Sequence, residues 1–328
     1  MNKKDLRIVF MGTPEFAVES LRRLVEGGYN VVAVVTQPDK PVGRHGSVLC
    51  PPEVKKYALS VGIPVLQPVK MKDPEFVESL AAYKADLQVV VAYRMLPEIV
   101  WAMPRFGTFN VHASLLPQYR GAAPINWAVI NGETETGVTT FFLDHEIDTG
   151  RIIMQKRFPI PEDADVEYVY DGLMRLGAEI CLETVDAVIA TDGNVASQPQ
   201  NETIELHSAP KIFKETCEID WSLPAKNIYD FVRGLSPYPG AWSGLAVDGQ
   251  KPLTMKVYKT RRTGNACNTS CGKVLVEHGR LYVAAEDEWV EITELQLAGK
   301  KRMDARSFLN GFKYVEGGDV RMVNTSSL

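Results

Sequence analysis

Asn110 and His112 stand two residues apart in the β-prone run Gly107-Thr108-Phe109-Asn110-Val111-His112. Strand side chains alternate faces, so an amide and an imidazole are expected side by side at one strand end. A second β-prone run, Gly137 to Leu143, leads into a polar loop carrying Asp144, His145, Glu146 and Asp148. An imidazole can move a proton near neutral pH. An amide N–H can hold a developing oxyanion, a role worth about 2.7–4 kcal/mol where measured in a protease. Singly, each has a plainer reading. A His at a strand end is more often structural, and an Asn, or an Asp before Thr149-Gly150, is a common turn residue. Spacing does not choose among Asp144, Glu146 and Asp148 for a catalytic carboxylate. No metal-ligand spacing is present, and no Ser or Cys sits in a nucleophile motif.

The elements that must position these residues follow from periodicity. Leu6 to Met11 reads as a strand, with a helix to Glu26 capped at Thr13 and started by Pro14, and a strand from Val31 to Thr36. This βαβ opening predicts a Rossmann-like, doubly wound, mostly parallel sheet. Gly12 stands alone, so the dinucleotide fingerprint is absent. Asp86 to Ala92 is the most apolar strand and is expected at the centre. Ligands of such sheets bind at the carboxyl ends of strands. Gln37 to Pro52, rich in Pro and Gly, reads as a loop without regular structure. Ile152 to Phe158 is expected as a strand and Val166 to Thr191 as a long helix.

Asp192 to Pro210 is polar and irregular, a linker by composition. Beyond it come a helix from Lys226 to Gly234 and short strands at 242–247, 254–259, 272–276, 281–284 and 290–296. Evenly spaced short strands predict a small β-barrel, the oligonucleotide-binding type being one option. The length of 328 residues fits two domains, 1–207 and 208–328, joined at about 192–210. With 45% hydrophobic and 23% charged residues, the composition is that of a globular protein with a substantial core. No apolar run is long enough to cross a membrane, and Met1-Asn2-Lys3-Lys4 leads directly into a strand, so a cytoplasmic protein is expected. The five scattered cysteines read as free thiols. The net charge of −5 is unevenly spread: from Ser208 onward there are 17 Lys and Arg against 14 Asp and Glu, and before it 19 against 27. A mildly basic second half suggests an anionic partner.

The combination Asn110-x-His112, Ser114-Leu115-Leu116-Pro117, Arg120-Gly121 and Asp148-Thr149-Gly150 resembles the folate-dependent formyltransferases. Gly12-Thr13-Pro14, Thr36-Gln37-Pro38-Asp39 with Gly43-Arg44, Val89 to Tyr93 and Ile219-Asp220-Trp221 extend the resemblance from about residue 6 to 315. The resemblance implies a formyl donor, 10-formyltetrahydrofolate, no metal, and an acceptor that is the α-amine of methionine on initiator tRNA. It implies that Asn110 and His112 stabilise the tetrahedral oxyanion while Asp148 holds His112 and favours the imidazolium. Folate would dock at Ser114, Leu115, Leu116 and Pro117, with Ala92, Tyr93 and Asp144 about its pterin. Arg44 in the Pro38 to Pro52 loop would reach the acceptor end of the tRNA. Lys300, Lys301 and Arg302 would grip its body from the barrel. The loop after Gly43-Arg44 carries His45-Gly46-Ser47-Val48 where the family is often lysine-rich. A monomer is expected, and no membrane partner. The rival acceptor is the amine of a sugar nucleotide, which formyltransferases with the same catalytic set also use.

Overall fold

The computed structural model of the protein describes residues 1–43, 46–248, 250–312 and 318–325. Two compact units divide the chain: residues 1–121, 135–159 and 170–208 form one, and 122–134, 160–169 and 209 onward the other.

The first unit is built from β1 (Arg7–Gly12), α1 (Glu15–Glu26), β2 (Asn30–Val35), β3 (Lys40–Val42), β4 (Val48–Cys50), α2 (Glu53–Ser60), β5 (Val65–Leu66), α3 (Pro74–Ala82), β6 (Leu87–Val91), α4 (Glu98–Trp101) and β7 (Thr108–His112). After β8 (Arg120–Gly121) come β9 (Glu135–Phe142), β10 (Ile152–Pro159) and the long α6 (Val166–Ala190), whose first four residues, like the whole of α5 (Pro124–Ile130), belong to the second unit. The main sheet has the order β10-β9-β7-β6-β1-β2-β5. It is parallel from β5 to β7, as expected of the βαβ pattern, and antiparallel at β9 and β10. All five residues of β6 are buried, which is why its sequence is apolar but for Gln88, whose Oε1 accepts from Thr108 Oγ1 at 3.1 Å. Register then places the site. Val90 pairs with Asn110 and Val91 with Val111, so Ala92 follows at the level of His112.

Because β9 runs antiparallel to β7, Phe142 lies opposite Phe109, and Thr139 lies opposite His112. The loop after β9 therefore leaves from the far end of β7 and has to come back to reach His112. Its two ends are pinned together: Phe142 N–H donates to Arg151 O at 3.0 Å. Gly150 passes so close to Phe142 that a Cβ there would sit 1.6 Å from the Phe142 carbonyl oxygen. No other residue fits this crossing.

Two local expectations are corrected. Helix α1 begins at Glu15, because Pro14 is extended (ψ 174°) and takes the N-cap position itself. The Gln37 to Pro52 stretch contains a small hairpin, Lys40 pairing with Cys50, Pro41 with Leu49 and Val42 with Val48. Proline is tolerated there because a two-stranded ribbon has only edges.

The second unit contains β11 (Ser208–Ala209, whose second residue belongs to it), α7 (Ala225–Leu235), β12 (Ala241–Val247), β13 (Leu253–Ala266), β14 (Val274–Glu277), β15 (Arg280–Ala284), β16 (Glu288–Leu297), β17 (Met303–Asp304), α8 (Ala305–Gly311) and β18 (Val320–Val323). Its antiparallel sheet has the order β14-β15-β16-β13-β12-β18. A bridge between Lys273 and Arg321 joins the two edges, so the sheet nearly closes into the expected barrel. Val257, Val283, Val290, Ile292 and Leu295 fill it. Strand β13 runs well past Lys259, where the sequence suggested an end. Arg261 and Arg262 continue it by reaching across to Glu291 and Glu288 of β16, and such opposite-charge pairs support a strand. Among the described residues no helix is long and apolar enough to cross a membrane.

Candidate active site

His112 is buried at the end of β7, 7% exposed, with both ring nitrogens facing protein atoms. Its Nε2 lies 2.9 Å from the carbonyl oxygen of Tyr119. A carbonyl can only accept, so Nε2 carries a proton in either charge state of the ring. That leaves Nδ1 as the nitrogen that exchanges a proton. Nδ1 faces Asp148 Oδ2 at 3.9 Å, an ion-pair distance rather than a direct hydrogen bond. Phe141 meets the ring edge-on at 6.4 Å.

Asp148 is itself buried and sits in the left-handed backbone region, with φ 58°. Its Oδ2 accepts the Gly121 N–H at 3.0 Å, and its carbonyl accepts Gln200 Nε2 at 2.8 Å. The other two carboxylates that sequence left open, Asp144 and Glu146, are exposed on the same loop. Asp144 turns back to accept the His145 N–H at 2.6 Å, and His145 lies 3.8 Å from Glu98 and edge-on to Trp101. Asp148 is the carboxylate that the fold brings to His112. Asn110, two residues before it on the same strand, buries its Oδ1 without a protein partner among the described residues.

The Ser114 to Pro117 turn lies directly after β7, and its polar groups are used internally. Ser114 Oγ donates to Gln118 O at 2.6 Å. Thr139 Oγ1 donates to Ser114 O at 2.6 Å and accepts the Leu116 N–H at 3.1 Å, while Gln155 Nε2 donates to Leu116 O at 2.9 Å. The turn contains a cis Leu116-Pro117 bond, Leu116 and Pro117 are buried, and Leu115 is half-buried over Gly137. It offers a rigid rim rather than free hydrogen-bonding groups. Ala92 is exposed at the end of β6 with φ 49°, and Tyr93 donates to Met71 Sδ at 3.4 Å. Burial pushes the Tyr93 phenol above its ordinary range, partly opposed by Arg94.

Four large apolar side chains stand exposed about this edge: Val69, Met95, Ile99 and Ile147. Arg94, beside Met95, donates to Val69 O, and the His145–Glu98 pair brings the Ile147 loop to Ile99. Among the described residues no group of His, Cys, Asp and Glu has the makings of a metal site.

Of the residues expected to meet tRNA, Arg44 lies outside the described residues. Lys300 and Lys301 are exposed after β16. Arg302 pairs with Glu294 at 2.5 Å and stacks over Tyr258, 4.2 Å from its ring centre. Sequence reading passed over Tyr119, Thr139 and Gln200. Tyr119 acts through its own main-chain carbonyl, Thr139 binds the main chain of the Ser114 to Leu116 turn, and Gln200 lies in what composition reads as linker. The one available hint was Gln198-Pro199-Gln200, where proline favours an extended chain.

Residues 6–185 match the family described as formyl transferase, and residues 211–313 match its C-terminal domain. The chain belongs to the formyl transferases. Among relatives of this formyl transferase, the methionyl-tRNA formyltransferase of Parabacteroides distasonis is 62% identical over 96% of this chain and 98% of its own. Solved structures extend the likeness of fold. HypX from Aquifex aeolicus in complex with tetrahydrofolic acid has a TM-score of 0.61 at 18% identity, over 97% of this formyl transferase. This chain spans about half the length of HypX, 51%. An N-formyltransferase from Helicobacter canadensis, in complex with folinic acid and dTDP-3-aminofucose, has a TM-score of 0.63 at 18% identity over 91% of this chain and 100% of its own.

Proposed function

We propose that this formyl transferase moves the formyl group of 10-formyltetrahydrofolate to the α-amine of methionine on initiator tRNA. The observation that carries the reading is the trio on and beside β7: buried His112 with Nδ1 facing buried Asp148 at 3.9 Å, and the buried Oδ1 of Asn110 without a protein partner among the described residues. An acceptor left open in a buried site costs about 1–3 kcal/mol, and a substrate N–H would recover it. Asn110 Oδ1 then accepts from the attacking amine while its Nδ2 donates to the oxyanion. The amine nitrogen bonds to the formyl carbon, giving a tetrahedral oxyanion. The proton lost by the amine passes by way of His112 Nδ1 to N10 of the folate as the C–N10 bond breaks. Tetrahydrofolate leaves, and the amine is formylated. Asp148 stabilises the imidazolium that exists in between. The exposed Val69, Met95, Ile99 and Ile147 suit the flat rings of a folate, which would cover them.

The tRNA reading rests on the full-length likeness to a methionyl-tRNA formyltransferase and on the barrel at 208–328, which we assign as the tRNA-binding domain. We place the enzyme in the cytoplasm with the translation machinery, as a monomer. The test supplies labelled 10-formyltetrahydrofolate with methionyl initiator tRNA and, separately, with an amino-sugar nucleotide. Label is expected on the aminoacyl-tRNA. Label on the sugar nucleotide alone sinks the reading in favour of the rival acceptor.

A further inference from the structure

The stretch between α6 and the second unit is irregular, yet within the first unit it is tied closely to the catalytic loop. Gln198 exchanges two backbone hydrogen bonds with Ile152, at 2.8 and 2.9 Å, which fixes the chain beside β10. Two residues on, the Gln200 amide is fully committed. Its Nε2 donates to Asp148 O at 2.8 Å and to Gly150 O at 2.9 Å, so one amide spans Thr149 and holds both ends of the Asp-Thr-Gly turn. Its Oε1 accepts from Arg120 Nε at 3.1 Å and from the Arg120 NH2 group at 2.7 Å. Arg120 is held in turn by Glu202 at 2.8 Å. The next residue, Gly121, gives its N–H to the Asp148 carboxylate. Asp148 is thus tied twice to one unit, by its main chain through Gln200 and by its side chain through Gly121.

The tie has something to oppose. Asp148 is a non-glycine residue at φ 58°, and such a conformation costs on the order of 1 kcal/mol and persists only where surroundings impose it. Relaxation toward ordinary backbone would swing the carboxylate away from His112. On the other side of the ring the same stretch acts again: His207 O accepts the Tyr119 N–H at 2.6 Å, their rings stack at 5.9 Å, and the Tyr119 carbonyl binds His112 Nε2.

We propose that Gln200 is a positioning residue for formyl transfer, holding the backbone of Asp148 and Gly150 so that the carboxylate faces His112. Gln200→Met keeps the length and loses every hydrogen bond. Gln200→Glu keeps the shape and the Arg120 pairing but loses the donors to the two carbonyls, and it guards against a Met variant that fails to fold. The rate arm of the test rests on the formyl-transfer reading; the spectroscopic arm does not. In the rate arm both variants should lose about tenfold to a hundredfold in kcat, the scale of a misplaced catalytic group, with the KM for folate little changed. Adding Gln200→Met to Asp148→Ala should cost nothing more, because the brace acts through Asp148. In the other arm, the imidazole nitrogen signals of His112 in 15N-histidine-labelled protein, assigned with His112→Ala, should move in Gln200→Met in the same sense as in Asp148→Ala. Unmoved His112 signals overturn the proposal whatever the acceptor. So does a double variant slowed by the same factor that Gln200→Met imposes on the parent enzyme. A parent enzyme inactive on methionyl-tRNA defeats the functional reading and leaves the nitrogen signals to decide on Gln200.

Discussion

At the scale of single residues, the chemistry of His112 is set by which of its nitrogens the fold has already occupied. The Tyr119 carbonyl takes Nε2, so the proton transfer proposed for His112 is left to Nδ1 on the Asp148 side. The approach of Asp148 depends on a close crossing at Gly150, where a Cβ would fall 1.6 Å from Phe142 O and 3.1 Å from the Phe141 ring. Gly150→Ala should therefore push the loop off the end of β9. The expected cost is about 1–3 kcal/mol of stability from overpacking. A loss of about a hundredfold in turnover should accompany it, because the carboxylate moves with the loop. Thermal melting and initial rates of the same variant check both; an alanine enzyme with parental turnover would show that the crossing does not govern Asp148. Only the family pattern singled out Asp148 from Asp144 and Glu146, whereas the juxtaposition of Asn110 and His112 was legible from a two-residue strand period. Tyr119 was not, because its part is played by a main-chain carbonyl, which every residue type possesses. Gln200 was not, because a polar side chain in irregular chain carries no periodic signal of what it will reach.

At the scale of elements, the turn after β7 is locked by one hydroxyl of β9. Thr139 is fully buried and makes three hydrogen bonds, to Ser114 O, from Leu116 N and from Gln155 Nε2. Thr139→Val keeps the shape and strands the Leu116 N–H, which should cost about 1–3 kcal/mol in a urea titration. An unchanged midpoint would mean that water or a shifted turn takes over the bonds. A second lock joins the turn before β2 to α6, where Tyr29 donates to Asp186 Oδ1 at 2.5 Å. Burial, then this hydrogen bond, raises the Tyr29 phenol above its ordinary value of 10.0. The folded state holds this proton more tightly than the unfolded state. Its contribution is therefore complete below about pH 10 and is lost as pH rises toward the folded value. Tyr29→Phe should flatten the alkaline fall of stability above pH 10 relative to the parent; parallel curves for the two proteins would contradict the assignment. Most elements were readable within a residue or two because apolar spacing decides them. Strand β13 was underestimated because Thr260-Arg261-Arg262-Thr263-Gly264 resembles a turn until its cross-strand glutamates are known.

At the scale of the whole molecule, the acidic charge lies before Ser208 and a mildly basic balance after it, which suits the tRNA-binding role proposed for the barrel. Its basic residues are not equivalent. Arg261 and Arg262 are committed to Glu291 and Glu288, and Arg302 to Glu294, whose carboxyl the Arg302 hydrogen bond holds below its ordinary range. Lys300 and Lys301 are exposed, and no carboxylate lies within ion-pair distance of either among the described residues. A cation already neutralised releases little on meeting a phosphate, whereas an unpaired one displaces a counterion from the nucleic acid. Each such contact contributes about 0.7–0.9 to the slope of log affinity against log salt. Lys300→Ala with Lys301→Ala should thus flatten that slope by up to about two units and weaken binding most at low salt. Arg302→Ala should change the slope by less, since Arg302 is already neutralised by Glu294, which keeps its pairing with Lys259 at 3.5 Å, and its loss of affinity should depend less on salt. Titrating initiator tRNA at a series of salt concentrations separates the two patterns. Equal slopes for the parent and the double lysine variant would mean that the tRNA body rests on another face of the barrel.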